Sequence, residues 1–212
     1  MNYIVENTEP VRLNYVTTNI MNRKLLYGFG VNDYYDGPVN TGTKIVKFYA
    51  VWRSMIARCY DPVQRAKYSS WEGCKVCDEW KSLVKFKEWF DKNYIEGYEL
   101  DKDILIKGNK LYSPETCCFV PKELNRIFET KPKKIKGNTL PEGVMWDSSR
   151  GLYISVLNRF NKKRLYIGRF ISVEEASIKY QKAKNQYLSE LAEEYYKNGK
   201  INKRVYLAIK SR

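Results

Sequence analysis

One short segment limits what this chain can fold into. Lys131-Pro-Lys-Lys-Ile-Lys-Gly-Asn138 holds four lysines, a proline and a glycine, with Ile135 its one large apolar side chain. Burying it would strand several ammonium groups away from water, so it reads as a basic connector rather than part of a core. The chain therefore divides into a domain over 1–130, a linker over 131–139 and a domain over 140–212. With 212 residues in all, each part is long enough to build its own core without disulfide staples.

Charge follows the same division. The chain carries 38 basic and 24 acidic residues, a net +14, and no histidine. Residues 131–212 hold 19 of the basic residues and 7 of the acidic ones, so nearly all of the excess lies in the connector and the part that follows it. Charge gathered this way repels itself unless a polyanion shares it, and each neutralised phosphate releases counterions. Double-stranded DNA is the expected partner. A basic surface kept for solubility is the bland alternative, but even spacing would serve that purpose better. No stretch reaches the roughly 18 apolar residues a membrane helix needs, and the first ten residues lack an export pattern. The expectation is a cytoplasmic protein with no membrane partner.

Periodicity supplies the elements. Residues 1–45 are the least regular; Tyr3-Ile4-Val5 and Lys24-Leu25-Leu26-Tyr27 read as short strands, with a turn at Gly28-Phe29-Gly30. Phe48, Val51, Trp52, Met55, Ile56 and Cys59 repeat at helical spacing up to Asp61-Pro62. Ser82 caps a second helix, with Leu83, Phe86, Trp89 and Phe90 on one face. Trp52, Trp71, Trp80 and Trp89 read as core residues of this half. Tyr98 to Ile106, a turn at Lys107–Lys110 and a return at Leu111-Tyr112 read as a hairpin, and Pro121 opens a short helix with Leu124, Ile127 and Phe128 inward. Beyond the connector come three strands, Gly143–Asp147, Leu152–Phe160 and Arg164–Ile171. Ser172 with Glu175 then forms a capping box for a helix whose stripe is Ala176, Tyr180, Ala183, Tyr187 and Leu191. That helix stops near Asn198-Gly199, and Asn202 caps a last one.

The five cysteines are an odd number without an export signal, which favours thiols or metal ligands over a disulfide framework. Cys74 and Cys77 form one Cys-x-x-Cys pair. With Cys59 and Cys117 they would make a four-thiolate structural zinc site if the fold gathers them, while buried thiols are the alternative.

Arg58-Cys59-Tyr60, Val76-Cys77-Asp78-Glu79-Trp80, Leu100-Asp101-Lys102-Asp103, Gly108-Asn109-Lys110 and Tyr112-Ser-Pro-Glu-Thr-Cys117 together resemble the HNH nucleases, above all those of phages and homing endonucleases. The resemblance runs from about Tyr27 to Phe128. It implies a ββα-metal module that clamps a divalent ion against a phosphate. The chain departs from the family at the catalytic position: the histidine that follows the metal-binding aspartate is replaced by Lys102, and the helix residue completing the metal site aligns with Thr116. Deprotonating water takes a base that titrates near neutrality, and an ordinary lysine is protonated there. Asp101, Asp103 and Glu115 could still hold magnesium, with a desolvated Lys102 as an unusual base. The favoured expectation is a vestigial site whose Lys102 contacts a phosphate.

Leu140-Pro-Glu-Gly-Val144, Tyr166-Ile-Gly-Arg-Phe170 and Val173-Glu-Glu-Ala176 resemble the APETALA2-type DNA-binding domain, over about Leu140 to Tyr187. The resemblance implies a three-stranded sheet laid in the major groove, with Met145, Asp147, Ile154, Val156, Asn158, Arg164 and Tyr166 facing bases. Arg164, Asn158 and Tyr166 are the expected base contacts. Arg150, Arg159, Lys162, Lys163 and Arg169, together with Lys131, Lys133, Lys134 and Lys136 of the connector, are the expected phosphate contacts.

The sequence therefore predicts an α+β chain: a degenerate HNH-like ββα-metal module followed by a three-stranded antiparallel sheet packed on a helix. Its expected function is duplex DNA binding in a phage or mobile-element protein. A magnesium-dependent HNH endonuclease and a phage inhibitor of a host defence protein, acting through a protein partner, are the alternatives.

Overall fold

The computed structural model describes residues 24–128, 133–135, 138–159 and 162–212. The strand read at Tyr3-Ile4-Val5 and the connector lysines Lys131 and Lys136 lie outside these residues. In chain order the elements are α1 (Lys47–Tyr60), α2 (Pro62–Lys67), β1 (Lys75–Val76), α3 (Leu83–Asn93), β2 (Tyr98–Asp101), β3 (Leu111–Tyr112), β4 (Cys118–Pro121) and α4 (Lys122–Phe128). There follow β5 (Lys133–Ile135), β6 (Asn138–Leu140), β7 (Val144–Asp147), β8 (Leu152–Leu157), β9 (Leu165–Phe170), α5 (Val173–Lys197) and α6 (Lys203–Lys210). The fold class is α+β, with small sheets that include a three-stranded antiparallel one. Among the described residues no helix is long and apolar enough to cross a membrane.

Contacts group the chain into two compact units: residues up to Tyr94 with Gly108–Cys117, and Ile95–Lys107 with Cys118–Arg212. In the first unit the apolar stripe of α1 (Trp52, Met55, Ile56 and Cys59) is buried together with Trp80, Leu83, Phe86 and Phe90. Trp52 and Trp80 are fully enclosed, and the Trp52 indole N–H donates to the Trp80 carbonyl at 2.8 Å. Ser82 caps α3 by accepting from the Lys85 N–H. Asp33 reinforces that cap: it accepts from the Ser82 hydroxyl at 2.6 Å and from the Val84 N–H at 2.9 Å. Lys24–Tyr27 is not a strand; Leu26 makes an isolated bridge to Gly30, and Tyr27 turns the chain with φ of 51°.

The expected hairpin is replaced by different partners. Leu111–Tyr112 pairs in parallel with Lys75–Val76, whereas Tyr98–Asp101 pairs antiparallel with Cys118–Pro121. A local side chain ends β2 early. Asp101 Oδ1 accepts from the N–H groups of Asp103 at 2.8 Å and Ile104 at 2.6 Å, an Asx-type turn that bends the chain out of the strand. Pro121 is the last residue of β4 rather than the first of α4. Sheet and helix then follow as strand, strand and helix in space. The connector also departs from an irregular linker: Lys133–Ile135 and Asn138–Leu140 form a two-stranded antiparallel ladder.

The second unit is centred on α5. Its Ala176, Tyr180, Tyr187, Leu188, Leu191 and Tyr195 pack with Ile104, Val120, Leu124, Leu157, Val205 and Ile209 in one core. Ser172 accepts from the Glu175 N–H and Asn202 from the Val205 N–H, so both caps form as expected. The helix runs unbroken through Ser189 and ends where Gly199 takes φ of 66°. Lys184, on the same helix, is buried at 6% exposure, and its ammonium meets Glu142 at 2.8 Å. Glu142 also lies near enough to Tyr180 to raise the pKa of its phenol.

Buried phenols carry a pH consequence. Burial raises the pKa of Tyr112 in the first unit and of Tyr180 in the second, with Glu142 adding to the rise at Tyr180. Unfolded tyrosine ionises near pH ~10, so the unfolded chain loses these protons first. Stability is full below that pH and falls as pH climbs through the folded-state values. Tyrosinate absorbance is expected to rise in two phases, the late one together with loss of helical circular dichroism. A single phase with helicity intact would contradict the burial of these rings.

Candidate functional site

The nominated residues fall into three places. Asp101, Lys102 and Asp103 sit at the end of β2 in the second unit. Lys102, at 6% exposure, places its ammonium 2.7 and 2.8 Å from the two carboxylate oxygens of Asp103. Asp101 is half-buried, and desolvation raises its pKa, opposed by the N–H groups of Ile104 and Asp103. Its Oδ2 has no hydrogen-bond partner among the described residues. A cation, the lysine's own, therefore already neutralises one of the two aspartates. This donor set is a poor fit to a divalent ion, which would face that ammonium.

Glu115 and Thr116 lie in the first unit, in the turn that follows β3. Thr116 is not on a helix. Its hydroxyl donates to the Leu111 carbonyl at 2.6 Å and accepts from the Ser113 N–H at 3.1 Å. Glu115 accepts from the Ser113 hydroxyl at 2.7 Å. The helix after the paired strands instead presents Asn125, which donates to Glu99 Oε2 at 3.0 Å, a residue the sequence reading passed over. All five cysteines are thiols, with Cys59, Cys74 and Cys117 buried in the first unit. Burial is the largest cause of a raised Cys77 pKa. Among the described residues no group of three or more Cys, Asp or Glu is placed to hold a metal. A cleft of about 790 Å³, lined in part by Tyr27, Asn32, Tyr34, Tyr49 and Trp52, contains none of the nominated residues.

The third place is the β7-β8-β9 sheet. Val144, Ser155 and Leu157 are buried on the side packed against α5. Register puts Met145 beside Ile154, Asp147 beside Leu152 and Val156 beside Tyr166, so the opposite face carries the expected base-facing side chains. Asn158, Lys162, Lys163, Arg164 and Tyr166 are exposed. The Arg159 Nε and Nη2 donate to the Lys163 carbonyl at 3.2 and 3.0 Å.

Arg169 owes its place to an irregularity in the sheet. Strict alternation from Tyr166 would put it on the helix side. The pairing shifts between Ser155 and Val156, where Gly168 opposes Ser155 but Tyr166 opposes Val156. Ile167 is thus an extra residue, a β-bulge, which returns Arg169 to the same face as Tyr166. The Arg169 guanidinium lies 5.6 Å from the Tyr166 ring centre, and its Nε is 3.7 Å from Asp147 Oδ2. Arg150 reaches the same carboxylate oxygen at 3.7 Å. Asp147 is fixed in turn by the Ser149 hydroxyl at 2.6 Å. That bond, more than the two arginines, holds its carboxyl below the usual range.

Comparison of the chain with protein-family models, with curated proteins and with solved structures found no match.

Proposed function

We propose that this chain is a double-stranded DNA-binding protein of phage or mobile-element type, whose HNH-like module no longer cuts. The observation that carries the reading is the solvent face of the β7-β8-β9 sheet. It combines the exposed Arg169 and Tyr166 with the apolar Ile154 and Val156, the exposed Lys162, Lys163 and Arg164 lie just before β9, and the other face of the sheet is covered by a helix. A three-stranded ribbon fits the major groove, arginine can grip guanine there, and an aliphatic side chain can meet a thymine methyl. The APETALA2-like reading of 140–212 rests on the same sheet and helix. The HNH-like reading of the front part draws on the β2, β4, α4 succession, which has the connectivity of a ββα module.

The binding-only reading is favoured over catalysis by the Lys102 ammonium, which is held on Asp103 and replaces the imidazole that would accept a proton from water. The test uses the full chain, a labelled duplex at low ionic strength and supercoiled plasmid with magnesium. Retention of the duplex and an intact plasmid are expected. Cleavage abolished by Asp101→Asn would overturn the binding-only reading. Asn is the right replacement because it keeps an acceptor for the Asp103 and Ile104 N–H groups, which Ala would strand at a cost of roughly 1–3 kcal/mol each. Absence of any duplex complex would sink the proposal altogether.

A further inference from the structure

We propose that Arg169, buttressed by Asp147 and backed by Tyr166, is the residue that reads a guanine in the major groove, and so sets the sequence preference of the sheet. This rests on the DNA-binding function proposed above and adds a specificity-determining residue to it.

Three observations converge. A carboxylate on a face that meets DNA is a liability, because it repels phosphates. Yet Asp147 stands on that face, on the first strand, within 3.7 Å of two arginines. At that distance the contact is an ion pair without a good hydrogen bond, and exposed pairs of this kind add little to stability. Its effect is to restrict where the guanidinium points. The contact is also made through Nε, which leaves the two terminal nitrogens of Arg169 without a hydrogen bond among the described residues. Two terminal N–H donors are what guanine O6 and N7 accept in a bidentate pair. Finally, the bulge at Ile167 brings Tyr166 beside Arg169, so the ring flanks the guanidinium at 5.6 Å and limits its swing. Arg164, the arginine that the APETALA2 resemblance implies as a base contact, makes no such contacts among the described residues: it is exposed just before the first residue of β9. A group held in place before binding loses less freedom on contact, and this favours the pre-set arginine as the discriminating one.

The experiment selects duplexes from a random pool with the full chain, then compares the selected site with random duplex by fluorescence anisotropy for the wild type, Arg169→Lys, Asp147→Asn and Arg164→Lys. Asn at 147 keeps the acceptor for Ser149 and removes the charge that pairs with the arginines, and thermal melts confirm that each variant is folded. Selection is expected to fix a guanine. Arg169→Lys is expected to lower the ratio of specific to random affinity by roughly tenfold to a hundredfold, the range for one bidentate pair. Asp147→Asn is expected to lower that ratio less while raising affinity for random duplex. Replacing the selected guanine with 7-deazaguanine is expected to weaken the wild type by more than it weakens Arg169→Lys.

A selection without base preference overturns the inference and leaves duplex binding standing. So does a preference that survives Arg169→Lys and collapses in Arg164→Lys, or a cytosine preference lost only in Asp147→Asn, which would make the carboxylate itself the reader. A wild type that retains no duplex at low ionic strength overturns both the inference and the function on which it rests.

Discussion

Replacing Arg150, Lys162, Lys163 and Arg164 together with Gln is expected to reduce the salt dependence of duplex binding by about four units in the slope of log K against log salt. Each phosphate neutralised by Lys or Arg contributes about 0.9 to that slope on B-form DNA. All four side chains are exposed on turns or strand ends of the β7-β8-β9 sheet, so they are placed to reach phosphates without entering the core. The affinity loss should be nearly uniform across sequences, because backbone contacts position the protein and carry no base information. It should be largest at low salt, where counterion release contributes most. Stability should hardly move, since substitutions at exposed sites usually stay within about 0.5 kcal/mol each. Arg150 shares Asp147 with Arg169, so a small change in base preference is expected alongside. Anisotropy titrations at three or more salt concentrations measure the slope directly. A full wild-type slope in the variant would move the phosphate contacts away from this sheet.

Some of this architecture is local and could be read from the sequence. Helix caps are set within four residues, and Ser82, Ser172 and Asn202 each accept from the N–H expected. The three strands after the connector, with short turns between them, leave only neighbours as partners, so their order was legible too. Pairing across long loops was not. Leu111-Tyr112 and Cys118–Pro121 lie close together in sequence, and both alternate poorly enough to pair with Tyr98–Asp101; the Asx turn at Asp101 and burial of the whole of β4 decide between them. Local signals did exist for two missed features. Gly137, between Ile135 and Thr139-Leu140, is a turn signal within the connector. Gly168, flanked by larger residues in a strand, marks a bulge, and that bulge puts Arg169 on the same face as Tyr166. No local pattern announces Lys184. A lysine in a helical stripe reads as solvent-facing until Glu142, 42 residues earlier, is brought beneath it.

Gly143→Ala is expected to be the most damaging conservative change in the second unit, costing about 2–5 kcal/mol. Two independent effects add. Gly143 has φ of 74°, where a β-carbon costs roughly 1–2 kcal/mol. A β-carbon built there would also overlap the Tyr180 ring, and overpacking of a core typically adds 1–3 kcal/mol. The ring has no easy retreat. Tyr180 is 4% exposed and close enough to Glu142 for that carboxylate to raise its pKa, and Glu142 is itself paired with the buried Lys184 ammonium. Moving the ring therefore threatens a desolvated charge pair, and breaking such a pair from one side is strongly destabilising. Gly151→Ala is the internal control. Its φ is 65°, but a β-carbon there meets nothing within 4 Å, so only the backbone cost should appear. For a unit of about a hundred residues the expected fall in Tm is roughly 4–8 °C per kcal/mol, several times larger at 143 than at 151. A Gly143→Ala, Tyr180→Ala double variant should lose less than the sum of its two single variants, since removing the ring removes the clash. Equal losses at 143 and 151, or strict additivity in that cycle, would mean that the ring is not packed on the glycine. The strand carrying Asp147 would then need another explanation for its position over α5.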